Sequence, residues 1–355
     1  MNTNKKLLFS CDYLEGAHPS IIQRLVETNL EKSSGYGQDS FSEEARESIR
    51  AACQVPYAEI HFLVGGTQAN ATVIDALLKS YQGVVAADTG HISCHEAGAI
   101  EASGHKVLTL PHKDGKITAD RLRDYLEKYW QDETHEHMVM PGMVYISQPT
   151  EYGTLYSLKE LQDISQICRE YALPLYLDGA RLAYALACPE NDVSLADLAA
   201  LCDVFYIGGT KCGTLFGEAV VIPRKGLIPH FFTMVKQHGA LLAKGRMLGI
   251  QFQALFTDHL YEQIGQSAIA MAGQVRAALR KHGYPLYPET PTNQVFCVVE
   301  NQELERLAQE VEYSFWEKYD DTHTVIRFAT SWATTKEDVE RLEEILGRVK
   351  QDAHP

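Results

Sequence analysis

The chain has 355 residues, 45% of them hydrophobic and 22% charged, enough to bury a core of one large domain with a smaller one beside it. Its formal net charge of −15, with no Lys/Arg-rich run, excludes the basic face that nucleic acid requires. No apolar stretch approaches the roughly 20 residues of a membrane span, and the acidity serves solubility.

The opening MNTNKKLLFSCDY has too short an apolar run for a secretory leader, so a cytoplasmic chain is expected. Cys11, Cys53, Cys94, Cys168, Cys188, Cys202, Cys212 and Cys297 are scattered without a CxxC pair, which predicts reduced thiols. GYGQDS (35–40) approaches a dinucleotide fingerprint, but the LEKSS before it is no strand.

From residue 59 short apolar runs alternate with helical patterns. EIHFLVGG (59–66) leads into TQANATVIDALLKSY, and GVVAAD (83–88) into HEAGAIEASG. HKVLTLP (105–111) leads into TADRLRDYLEKYW, and GMVYISQP (142–149) into SLKELQDISQICREY. LPLYLD (173–178) and DVFYIGG (203–209) follow. This alternation predicts an α/β fold, a mostly parallel sheet covered by helices on both faces. GEAVVIP (217–223) follows too soon for a parallel crossover, so it is expected to run antiparallel.

EKYWQDETHEHM (127–138) reads as a solvated surface connection. A long helix is expected over about 245–282, stopped by HGYP. VFCVVE, SFWEKY and TVIRFAT, with a final helix, then suggest a small α/β domain. The expected division is an N-terminal segment 1–20, a large domain 21–250 and a C-terminal domain 251–355 that completes the site.

Ligands of such sheets sit beyond the carboxyl ends of the strands. Four predicted ends carry chemistry: VGGTQAN, ADTGH, YLDGAR and YIGGTK. In GGTQAN, Gly66 permits close approach of a ligand, Thr67 can cap a helix beginning near Gln68, and the helix N-terminus suits phosphate. Asp178 stands at a strand end with Arg181 three residues on, and the two could simply pair. Lys211 lies within Gly208, Gly209, Gly213 and Gly217. It does not fit a Walker loop and reads either as a surface lysine or as a desolvated Schiff-base lysine. Thr210 beside it can donate to phosphate. His91 and His95, four apart, offer a metal pair without an evident third ligand, so no metal is expected. Asn70-Ala71-Thr72 matches a glycosylation sequon, without meaning in a chain lacking a secretion signal.

A lysine after one strand, an aspartate ending the strand before it and a Gly-Thr turn opening a helix make up a pyridoxal phosphate site. The chain resembles the threonine aldolase group of the β-eliminating lyases, fold-type I pyridoxal phosphate enzymes, from about Asp12 to the last helix. Gly66-Thr67-Gln68-Ala69-Asn70, His91 with Glu96-Ala97-Gly98, Asp178-Gly179-Ala180-Arg181, Thr210-Lys211-Cys212, Tyr36-Gly37-Gln38-Asp39 and Arg327 in VIRFATSW carry the likeness.

The resemblance implies pyridoxal 5′-phosphate linked to Lys211, stacked on His91 and partnered at its ring nitrogen by Asp178. Gly66, Thr67, Gln68, Arg181 and Thr210 complete the expected cofactor set, and Cys11, Tyr36, Arg181 and Arg327 the substrate set. It implies retro-aldol cleavage of a β-hydroxy-α-amino acid to glycine and an aldehyde, in a homodimer or homotetramer with sites at subunit interfaces.

Three departures stand out. Cys11 replaces a family serine, and Glu151 replaces a family histidine that handles the β-hydroxyl proton. Extra residues in MVKQHGALLAKGRMLG leave Lys244 and Arg246 as rival counterparts of one basic residue. A carboxylate can also act as a base, which makes Glu151 a catalytic candidate. Another pyridoxal phosphate reaction, β-elimination or transamination, is the alternative, ahead of a non-catalytic ligand-binding relative.

Overall fold

The computed structural model describes residues 6–353. Its strands are β1 (Leu7–Leu8), β2 (Glu59–Leu63), β3 (Gln82–Ala87), β4 (Lys106–Leu110), β5 (Met140–Ser147) and β6 (Leu175–Asp178). Then come β7 (Val204–Gly208), β8 (Glu218–Ile222), β9 (Gln294–Glu300), β10 (Val311–Glu312), β11 (Ser314–Lys318) and β12 (His323–Ala329).

The seven apolar runs of the first two-thirds form one sheet in the order β2-β8-β7-β6-β5-β3-β4. Neighbours from β4 across to β7 pair in parallel. β8 runs antiparallel to β7 and β2, as the short connection before it requires. Strands β6, β7 and β8 are buried at every position because helices cover both faces. Alternate residues feed two cores: Leu177, Phe205 and Ile207 one, Tyr176, Val204 and Tyr206 the other.

The later strands form a smaller antiparallel sheet, β11-β12-β9. Its core also takes Leu279 and Leu342, from helices Leu260–Lys281 and Lys336–Ala353. β1 pairs in parallel with β10, and the Ala329 amide donates to the Phe9 carbonyl at 2.8 Å. The N-terminal segment is thereby stitched to the C-terminal part. No helix among the described residues is long and apolar enough to cross a membrane.

Four local expectations change. The helix predicted over 245–282 is two, Arg246–Leu255 and Leu260–Lys281. Asp258 and His259 between them take positive φ, which redirects the second helix so that Gly265 lies against the Ala183 carbonyl, where a Cβ would come to 2.3 Å. The HEAGAIEASG pattern gives two short helices, His91–Cys94 and Ala99–Ala102, broken at Ala97 and Gly98. The surface connection at 127–138 begins inside helix Ala119–Gln131, whose Tyr129 is buried. Finally, helix Gly66–Leu77 starts two residues earlier than expected. Its N-cap is Gly65, with no side-chain cap bond, so Thr67 is not the cap.

Candidate active site

Strand geometry assembles the site. Ser147 and Asp178, at the ends of β5 and β6, are register partners. Gly208, the end of β7, lies opposite Glu218, the first residue of antiparallel β8. Beyond this edge lies a cavity of about 370 Å³ lined by Lys211, Asp178, His91, Glu151, Arg181, Thr67 and their neighbours. Gly66 and Thr210 line it too. Gln68 does not: its Oε1 accepts from the Val64 amide at 3.1 Å and braces the turn.

The glycines of this loop and of the loop after β6 are required by the protein's own close packing. A Cβ on Gly208 would lie 2.3 Å from the Ala180 carbonyl oxygen, and one on Gly179 would lie 2.0 Å from that of Tyr206. The loop after β6 and the end of β7 therefore touch backbone to backbone.

Asp178 is buried and accepts four hydrogen bonds. Tyr206 donates at 2.5 Å and the Ala180 amide at 3.0 Å to Oδ1; Tyr145 donates at 2.6 Å and Asn70 at 3.1 Å to Oδ2. Burial alone would raise its pKa, but His91 and the tyrosine hydroxyls outweigh that and hold it below the usual carboxylate value. Asp178 is an ionised carboxylate. It does not pair with Arg181, whose Nε and Nη2 donate to Asp12 at 2.6 and 2.9 Å.

Lys211 lies in the cavity, its Nζ 5.9 Å from the centre of the Tyr13 ring. Desolvation, followed by the Arg181 charge, lowers its pKa, which favours the neutral, nucleophilic amine. Thr210 is differently engaged than expected. Its Oγ1 accepts from the Gly217 amide at 3.0 Å, and its side chain is hydrogen-bonded to Glu218. Burial pushes the Glu218 carboxyl up to about 8, against hydrogen bonds from Thr210 and the Gly209 amide.

Glu151 Oε1 accepts from the His91 amide and from Ser147 Oγ, both at 2.9 Å. Burial, assisted by Asp178, raises its pKa despite those donors. His91 Nδ1 is 2.7 Å from Glu96 Oε1, and its ring centroid is 5.6 Å from that of His95, which also lines the cavity. No group of three or more His, Cys, Asp or Glu among the described residues is arranged to hold a metal ion.

Arg327 Nη1 donates to Gln294 at 2.8 Å and Nη2 to the Ser10 carbonyl at 3.1 Å, while its buried Nε has no partner among the described residues. Cys11 is partly buried, and neither it nor Arg327 is among the residues that line the Lys211 cavity. Tyr36 is not brought to this cavity. It is exposed, with φ 61°, and lines a separate cleft of about 580 Å³. Lys244 and Arg246 also lie outside the Lys211 cavity. Arg246 donates to the Thr28 and Glu31 carbonyls and covers the Phe41 ring.

Sequence reasoning assigned no role to Asp12, Asn70, Glu96, Tyr145, Tyr206 or Glu218. Asn70 and Glu96 stood inside quoted motifs. Tyr206 lies two residues before a strand end already singled out, and Tyr145 two before the end of β5, so each shares a sheet face with that end.

This sheet, with a lysine and an aspartate at its ligand edge, has the architecture of the fold-type I pyridoxal phosphate enzymes. Aspartate aminotransferase of Thermus thermophilus superposes with a TM-score of 0.71 at 12% identity, over 98% of this chain and 92% of that one, a likeness of fold alone. Residues 9–302 match the family described as beta-eliminating lyase. A low specificity L-threonine aldolase of Pseudomonas aeruginosa is 31% identical over 347 residues, 95% of each chain. The structure of threonine aldolase of Leishmania major aligns with a TM-score of 0.93 and 42% identity, over 97% of this chain and 99% of that one. The chain belongs to the beta-eliminating lyase family.

Proposed function

We propose that this protein is a pyridoxal 5′-phosphate-dependent lyase that cleaves β-hydroxy-α-amino acids of the L-threonine or L-allo-threonine class to glycine and an aldehyde. One observation carries the reading: a lysine of lowered pKa and an ionised, four-fold hydrogen-bonded aspartate face one cavity.

The donor set fits the cofactor. Lys211 would hold its carbonyl carbon, Asp178 its ring nitrogen and His91 its ring face. The uncapped helix start at Gly66 and Thr67 offers amides to a phosphate. When bound, the group supplies an electron sink for the charge left on Cα as the Cα–Cβ bond breaks.

The chain's own residues do the rest. Arg327, whose buried Nε has no partner among the described residues, binds the substrate carboxylate. Arg181 contributes positive charge beside it while its fork holds Asp12. Glu151 takes the β-hydroxyl proton. Its raised pKa brings a carboxylate closer to neutral pH, where it is a better base. Tyr36 is exposed and stands outside the Lys211 cavity of its own subunit, which supports a homodimer or homotetramer with sites shared between subunits.

The test is release of glycine and aldehyde from L-threonine, L-allo-threonine and phenylserine. Turnover of another amino acid with none of these cleaved would refute the aldolase reading and leave the cofactor reading standing. Lys211→Ala should abolish the lysine-linked near-violet absorption, and an unaltered band would refute the role of Lys211.

A further inference from the structure

Between His91 and Asp178 runs a buried polar strip that the proposed chemistry does not use. The Glu96 side chain is 0% exposed. Its Oε1 receives His91 Nδ1 at 2.7 Å and the Asn70 amide at 2.7 Å, whereas Oε2 has no partner among the described residues. The same Asn70 nitrogen donates to Asp178 Oδ2 at 3.1 Å. Tyr176 donates to Asn70 Oδ1 at 2.9 Å, and with a carboxylate on each side of Nδ2 the orientation of the amide is fixed.

A buried carboxylate with one bare oxygen is a costly way to fill space, and apolar residues of similar volume would serve stability as well. The strip is explained by what it imposes. Glu96 Oε1 already accepts from the Asn70 amide, and the same oxygen facing His91 assigns the Nδ1 proton to the histidine. Nε2, with no hydrogen bond to the described residues, is left to the cavity that His91 lines. Asn70 has two amide hydrogens and gives one to each carboxylate, so Glu96 and Asp178 are held at a fixed separation.

We propose that Glu96 and Asn70 are positioning residues that bind His91 and Asp178 into one electrostatic unit. Glu96 sets the plane and the Nδ1–H form of the His91 ring, and Asn70 locks that carboxylate to Asp178. The other groups facing the unit are Glu151 at the His91 amide, His95 against the His91 ring, and Tyr145 and Tyr206 on Asp178. The proposal rests on the reading of His91 and Asp178 as the residues that hold the cofactor ring.

Glu96→Gln keeps the shape and the acceptor but removes the charge, and Asn70→Ser removes the bridge. In the cofactor-loaded protein each should move the pH titration of the near-violet band by about half a unit or more. Each should lower kcat about tenfold with KM nearly unchanged, as loss of an orienting partner does. The double variant should be little worse than the worse single one, because both act through one network. Wild-type band titration and kcat in both variants, with the loss confined to thermal stability, would overturn the proposal.

The ring-nitrogen NMR of His91 checks the same point without a variant. Nδ1 should be protonated, and an Nε2–H tautomer would overturn the assignment. A wild-type protein without the near-violet band would instead sink the underlying cofactor reading. That failure is distinguishable from wild-type behaviour in the variants.

Discussion

Asp12 and Arg181, 169 positions apart in the chain, meet in a two-pronged ion pair with contacts of 2.6 and 2.9 Å. Asp12 also accepts from Asn293 at 2.8 Å, so one carboxylate ties the N-terminal segment, the large sheet and the smaller sheet together. Burial alone would raise its pKa, but Arg181 and Lys211 bring it down to about 2.

Breaking this pair should destabilise the fold strongly. Asp12→Asn leaves Arg181 largely buried and uncompensated, for which about 3–5 kcal/mol is the expected loss, read as a lower urea midpoint. Because the folded pKa lies below the ordinary value of 3.8, the stabilisation is complete above that pH and lost as pH falls through about 2. Acid unfolding of the variant should lack that component.

Glu151→Gln should lower kcat by about 10²–10⁴ with a smaller change in KM, the range for loss of a general base. Burial raises the Glu151 pKa, so the acid limb of the wild-type kcat profile should fall above the ordinary carboxylate range, with activity lost as pH drops through it. The variant should lack this limb. An unchanged profile would reassign the base.

Glu218→Gln separates stability from chemistry by pH. The folded carboxyl titrates near 8 rather than 4.5. Its neutral form therefore favours folding fully below pH 4.5, and that contribution is lost as pH rises through about 8. The amide variant carries no such penalty, so its Tm advantage over wild type should grow from pH 6 to pH 9. Scanning calorimetry at the two pH values measures it.

Tyr206→Phe removes one of the four donors on Asp178. A hydrogen bond to a charged group contributes about 1.5–3 kcal/mol, so retention of the cofactor on dialysis should weaken about tenfold or more. Tyr145→Phe should behave alike, since its hydroxyl holds the other oxygen at 2.6 Å.

Much of this architecture is legible because buried parallel strands write themselves as continuous apolar runs, several of which end at the Lys211 cavity. Asp178 and Lys211 were found that way. Glu218 is not legible in this way, because β8 runs backwards and delivers its amino end, not its carboxyl end, to the same edge. Asp12 escaped for another reason: its partner is 169 positions away, and no local pattern encodes such a pairing. The local spacing suggests that Arg181 pairs with Asp178, three residues before it, yet its fork faces Asp12. The break at Asp258 and His259 was hidden because neither residue is a glycine or proline, and the bend is set by packing of the second helix.

The β7–β8 hairpin carries more than a strand reversal. Lys211 and Glu218 both lie between or at the facing ends Gly208 and Glu218, so the cavity's amine and its neutral acid are inherited as a single cassette. Side chains alternate faces along a strand, so a shift of β8 by one residue against β7 would send Glu218 to the opposite layer and bring Ala219 to the edge. Selection on the length of loop 209–217 is therefore selection on the protonation of the site. A one-residue deletion there should be harmful even where the surrounding sheet tolerates it.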